Sequence, residues 1–175
     1  MTDAPLILTL VLDKESQSFF NALRKQYFPP ERNYLDAHLT LFHHLPAHEQ
    51  QIINDIKECG KQTAPLALQV TDVVSIGNGV AYKLENMPLM TRHKRLQQQW
   101  QQWLIPQDRQ KLWPHITIQN KVSPDQAKSL QAQIKQEFVP FVAQGFGLSL
   151  WAYKGGPWEF VKYFEFTGNG GGTNQ

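Results

Sequence analysis

His38-Leu39-Thr40-Leu41-Phe42 and His115-Ile116-Thr117-Ile118 are the two stretches from which the fold is read. Each is a short apolar run of strand length. In a strand, residues i and i+2 point to one face, so His38 shares a face with Thr40, and His115 with Thr117. Leu39, Leu41, Ile116 and Ile118 turn the other way and serve as core. An imidazole and a hydroxyl on an apolar strand cost stability unless they meet water, each other or a ligand. A cleft meets that need.

Working outward from each motif, the same order of elements recurs. Ahead of the first lies an alternating strand, with Leu6, Leu8, Leu10 and Leu12 on one face. A helix over residues 14–28 follows, with Asp13 as its cap and Phe19, Leu23 and Tyr27 as its buried stripe. Pro29-Pro30 stops it. Behind the motif come a helix over 49–59, which buries Ile52, Ile53 and Ile56 and ends at Gly60, and a strand with Leu66, Leu68 and Val70. Gly77-Asn78-Gly79 predicts a hairpin into Val80–Leu84. A helix over 89–104 then carries Leu89, His93, Leu96, Trp100 and Trp103 along one side, ahead of the second motif. Ser123-Pro124-Asp125-Gln126 opens the next helix, whose stripe is Ala127, Leu130, Ile134 and Phe138. Strands over 146–153 and 158–166 flank the turn Lys154-Gly155-Gly156-Pro157. Leu66 lies 28 residues after His38, and Ala143 lies 28 residues after His115. The chain therefore reads as a weak repeat hinged at Gly77–Gly79. It predicts two similar α+β lobes facing each other across a cleft, with one histidine motif from each. Residues 1–167 form this single bilobal domain; the glycine-rich stretch 168–175 is expected to be disordered.

Composition narrows the class. The chain's 175 residues suffice for one domain or two small fused lobes, and 41% hydrophobic residues are enough for a core. A net charge of +2 suits an anionic substrate but gives no argument for a nucleic-acid coat protein. A single cysteine, Cys59, excludes an internal disulfide and a cysteine-built metal site. The apolar run Leu6–Leu12 is short and closed by Asp13, so it reads as a strand rather than a signal peptide. A soluble, monomeric, cytoplasmic protein with no membrane partner is the expectation.

Two imidazole–hydroxyl pairs facing each other suit a phosphate ester. Hydrolysis needs one group to take a proton from water and another to protonate the leaving oxygen, and histidine titrates near neutral pH. Thr40 and Thr117 can hold the non-bridging oxygens. The carboxylate-rich motifs of many metallophosphatases are missing, so neither metal nor cofactor is expected. The bland alternative is a pair of satisfied edge histidines. Two other readings stand beside the enzyme: an RNA- or nucleotide-binding module on the same scaffold that turns nothing over, and a histidine-bound metal site, which lacks accompanying carboxylates. Three further residues could reach the cleft: Tyr153 beside the Gly-Gly-Pro turn, Trp113 as a base-stacking ring, and Arg32 as a phosphate partner. His43 and His44 are assigned to solvent or a strand edge, His48 and His93 to a helix surface or rim. Arg92, Lys94 and Arg95 read as a solvated face.

His38-Leu39-Thr40-Leu41 and Pro114-His115-Ile116-Thr117-Ile118 resemble the paired signatures of the 2H phosphoesterase superfamily, which includes the 2′-5′ RNA ligase family and cyclic phosphodiesterases. The resemblance spans nearly the whole chain. It implies a bilobal α+β fold, each lobe an antiparallel sheet with outer helices, around a central cleft. It implies His38 and His115 as the acid–base pair and Thr40 and Thr117 as phosphate holders. It also implies substrates that are RNA ends or nucleotides with a 2′,3′-cyclic phosphate or a 2′-5′ linkage. Many bacterial members carry an arginine just after the second motif. Here that stretch reads Gln119-Asn120-Lys121, a departure that leaves an RNA contact of that kind without its arginine, with Lys121 the candidate substitute.

Overall fold

A computed structural model describes residues 3–169. Alternating apolar residues generate strands, and caps delimit the helices between them. The strand β1 (Leu6–Leu12) leads into α1 (Lys14–Tyr27), where the Asp13 carboxylate accepts from the Ser16 N–H at 3.0 Å. Next come β2 (Leu39–Leu45), α2 (Gln50–Gln62) and β3 (Leu66–Ser75). The second half supplies β4 (Val80–Glu85), α3 (Met87–Gln99), β5 (His115–Gln119) and α4 (Pro124–Glu137). The long β6 (Phe141–Tyr153) and β7 (Trp158–Glu165) close the chain. Ser123 and Gln126 form the expected capping box at the start of α4.

The seven strands make one antiparallel sheet in the order β2-β1-β6-β3-β4-β5, with β7 on the remaining edge of β6. That order is palindromic: β1 corresponds to β4, β2 to β5, and β3 to β6. The dyad runs through the β3–β6 pairing, where Leu66 faces Gly145 and Leu68 faces Ala143. The numbering offset that carries His38 onto His115 carries Leu66 onto Ala143 and Leu68 onto Gly145, so the repeat extends to register. The half-chains nevertheless do not stay apart at the Gly77–Gly79 hairpin. β3 lies with β4 and β5, while β6 and β7 lie with β1 and β2. The last strand of each half completes the other half's lobe, which welds the two sheets into one. The two motif strands become its outer edges and approach each other as the sheet curls.

Helices α2 and α3 cover the back of the β2-β1-β6-β7 lobe; α1 and α4 cover the β3-β4-β5 lobe. The core is continuous beneath them, from Leu8, Leu39 and Phe42 through Leu68 to Leu84, Ile116 and Ile118. Among the described residues no helix is long and apolar enough to cross a membrane.

Several local expectations shift. The buried stripe of α1 is Ser16, Phe20 and Arg24, rotated one residue from the expected one, and Phe19 is 42% exposed. Gly60 does not end α2, which runs on to Gln62. The Glu165 carbonyl of β7 packs where a side chain at Gly60 would begin, so the glycine serves close approach rather than termination. His93 is buried, not at a rim: its Nε2 lies 2.9 Å from the Leu41 carbonyl and its ring stacks on Phe42 at 4.5 Å. The expected tail begins in ordered backbone, since the Gly168 N–H donates to the Thr63 carbonyl at 2.9 Å. Residues 170–175 of that stretch lie outside the described residues.

Candidate active site

The two edge strands present the motifs alike. His38 immediately precedes β2, and its Nδ1 lies 2.8 Å from the Asp36 carbonyl. His115 opens β5, and its Nδ1 lies 2.7 Å from the Trp113 carbonyl. A carbonyl only accepts, so each Nδ1 carries a hydrogen and donates it. Each Nε2 is thereby left with a lone pair, and neither has a protein partner among the described residues. Thr40 and Thr117 are half-buried, two residues on along the same face, and their hydroxyls likewise meet no protein partner among the described residues.

The surroundings set the basicity of these groups. Burial pushes His38 down to about 4; the Asp36 carbonyl opposes this, while the charges of Arg24, His115 and His43 add to it. Burial also lowers His115, opposed by the Trp113 carbonyl and assisted by His43. His115 thus acts on His38, His43 acts on both, and both motif histidines are held below their ordinary value, toward the neutral form at pH 7.

Aromatic rings flank each imidazole. Trp113 stacks on His115 at 4.3 Å and is 42% exposed. Trp158 of β7 lies 4.7 Å from His38, with Trp151 and Phe160 behind it. Tyr153 pairs with Trp158 in register and stays exposed at the end of β6, on the face that bears Trp151. Arg32 lies in an exposed 3-10 turn, Pro30–Arg32. Lys121 occupies a left-handed turn at φ 63°.

Three site residues escaped sequence reading. Arg24, on the buried face of α1, donates through Nη1 to the Thr117 carbonyl at 3.0 Å. Its Nε donates to the Leu35 carbonyl at 3.0 Å and to Asn33 Oδ1 at 2.9 Å. One guanidinium thus ties the lead-in to β2 to the strand β5. Lys83 stands directly across from His115 in register and forms an exposed ion pair with Glu85 at 3.3 Å. Trp158 is the third. Such placements depend on helix rotation and strand register, so only the helical spacing of Arg24 from Phe20 offered a signal. Among the described residues no three His, Cys, Asp or Glu side chains converge as a metal site would require. A groove of about 730 Å³ lies on the outer side of the second lobe between α1 and α4; Phe19, Leu23, Tyr82 and Phe138 line it, and no motif residue does.

A family model described as the 2′-5′ RNA ligase superfamily matches residues 12–157. A search of curated protein sequences returns no match. Among solved structures, TT0787 of Thermus thermophilus is 16% identical, with 94% of this chain and 99% of that one covered and a TM-score of 0.65. E. coli LigT, solved in complex with 3′-AMP, is 17% identical over 94% of this chain and 98% of its own, with a TM-score of 0.60. At these identities the likeness is one of fold.

Proposed function

Starting from the chain's membership of the 2′-5′ RNA ligase superfamily, we propose that it is a metal-independent phosphoesterase. Its substrates are nucleotides or RNA ends bearing a 2′,3′-cyclic phosphate or a 2′-5′ linkage. The observation that carries this reading is the paired geometry. Each histidine has Nδ1 held by a carbonyl two residues back, Nε2 open, and a free threonine hydroxyl on the same face. E. coli LigT, of like fold, binds 3′-AMP, which lends support to a nucleotide ligand.

The chemistry follows from the protonation states. His38, the more strongly depressed of the two, acts as base and takes a proton from water onto Nε2. The water oxygen bonds to phosphorus as the bond from phosphorus to the ribose 2′ or 3′ oxygen breaks. His115, which gains a proton when the anionic phosphate arrives, gives it from Nε2 to that leaving oxygen. The Asp36 and Trp113 carbonyls keep both rings aimed throughout and stabilise whichever is charged. Thr40 and Thr117 donate to non-bridging oxygens. Trp158 and Trp113 offer their faces to the nucleobase.

Purified protein should open a 2′,3′-cyclic nucleotide in the presence of EDTA, with a bell-shaped pH–rate profile. His38→Ala and His115→Ala should each lower kcat by roughly 10²–10⁴-fold. Full activity in both variants would sink the assignment. Tight nucleotide binding without turnover across cyclic and 2′-5′ linked substrates would instead indicate a binding module.

A further inference from the structure

His43 is unexplained by the chemistry above. It follows an irregularity in β2, where Leu41 and Phe42 both turn into the core and the next side chain emerges on the exposed side. Asp108 approaches it from the 3-10 turn Pro106–Arg109, with a carboxylate only 1% exposed. Asp108 Oδ1 accepts from the His43 N–H at 2.8 Å and lies 3.1 Å from Nδ1; Oδ2 accepts from the His44 N–H at 2.9 Å. The two backbone bonds already seal the edge of β2, and any residue at position 43 would supply its N–H. The ring contact is additional, and it has a consequence. It fixes Nδ1 as the inner nitrogen and leaves Nε2 outward with no protein partner among the described residues, on a side chain 43% exposed.

Place and charge indicate what that nitrogen meets. His43 is near enough to both motif histidines for its charge to act on each, while His93 lies behind it and Asp108 beside it. Arg24, whose charge reaches His38, is bound to backbone carbonyls. Yet His43 lies three residues beyond Thr40, ~10 Å along an extended strand, so it flanks the phosphorus held between the histidines rather than touching it. With its Nδ1–H held by the Asp108 carboxylate, the imidazolium form presents a charged N–H donor at Nε2.

We propose that His43, aimed by Asp108, is an anion subsite for a second phosphate of the substrate, adjacent along the nucleotide chain to the reacting one. The substrate class is then a nucleotide with two phosphate groups, such as an RNA end or a 5′-phosphorylated nucleotide, and not a bare nucleoside cyclic phosphate. This rests on reading the histidine cleft as the phosphate site.

Calorimetric binding tests the idea without turnover. Wild type should bind adenosine 3′,5′-bisphosphate about tenfold or more tightly than adenosine 3′-monophosphate, as expected for one added charge-assisted hydrogen bond. In His43→Gln the two affinities should converge, with the 3′-monophosphate affinity unchanged. His43→Ala serves the same measurement if the glutamine variant does not fold. Equal wild-type affinities, an unchanged ratio in the variant, or equal weakening for both ligands would each overturn the proposal. A protein that fails to hydrolyse any cyclic phosphate but discriminates these ligands through His43 would sink the proposed activity and leave the subsite standing.

Discussion

Arg24→Met tests how the two motif strands are held together. The substitution keeps the length of the side chain and its packing on Phe28, over whose ring the guanidinium lies at 4.0 Å. It removes the donors to the Leu35 and Thr117 carbonyls and to Asn33 Oδ1, in a place where Arg24 is only 5% exposed. Each buried acceptor left without its donor costs about 1–3 kcal/mol. Against that, the variant no longer desolvates a guanidinium, which offsets several kcal/mol. The net loss should be about 3 kcal/mol in urea unfolding, or roughly 6–12 °C in melting temperature for a chain of this size. A second readout separates this from ordinary destabilisation. The Arg24 charge helps to hold His38 down, so its removal should raise the His38 pKa measured by NMR titration, while burial keeps it below the ordinary value. Turnover should fall as the motifs lose alignment. A loss below about 1 kcal/mol together with an unmoved His38 would refute the reasoning.

Acid should destabilise the fold through His38. The unfolded chain binds a proton near pH 6.5 that the folded chain refuses until about pH 4, so stability is full above pH 6.5 and falls as the pH drops through that window. The loss is roughly 3 kcal/mol by pH 4, and a pH series of urea melts on wild type and His38→Asn should differ by that component; parallel curves would contradict it. Gly79→Ala should cost about 2 kcal/mol or more, because a Cβ there falls on the Gln119 carbonyl of β5. It should also reduce turnover by displacing the strand that bears His115; an active, equally stable variant would show that β5 can move without consequence. Trp158→Ala should raise KM about tenfold or more with less effect on kcat, since the ring lies beside His38 without contacting the reacting phosphorus; an unchanged KM in steady-state kinetics would remove it from the base site.

Much of this was legible along the chain because it depends on short-range rules. Period-two alternation located β1, β2 and β5. The Asp13 and Ser123 caps located the starts of α1 and α4, and the shared face of His38 and Thr40 follows from the strand geometry alone. The equal spacings from each histidine to Leu66 and Ala143 carried the internal repeat, which the register of β3 against β6 bears out. Other features depend on which surfaces meet. The stripe of α1 was misread by one residue because a buried arginine looks polar in sequence, and its burial is favourable only where carbonyls from two strands converge on it. Gly60 looked like a helix end, and only the approach of β7 explains it.

By itself, then, the sequence determined the two imidazole–hydroxyl pairs and the strands that carry them, since backbone geometry decides which neighbours share a face. The tertiary structure alone decided that β3 and β6 change lobes, that Arg24 joins the motifs, and that Asp108, 65 residues from His43, orients its ring. The physical reason is that strand pairing and helix rotation are settled by burying apolar surface across the whole sheet. Side chains far apart in the chain acquire their partners only once that burial is complete.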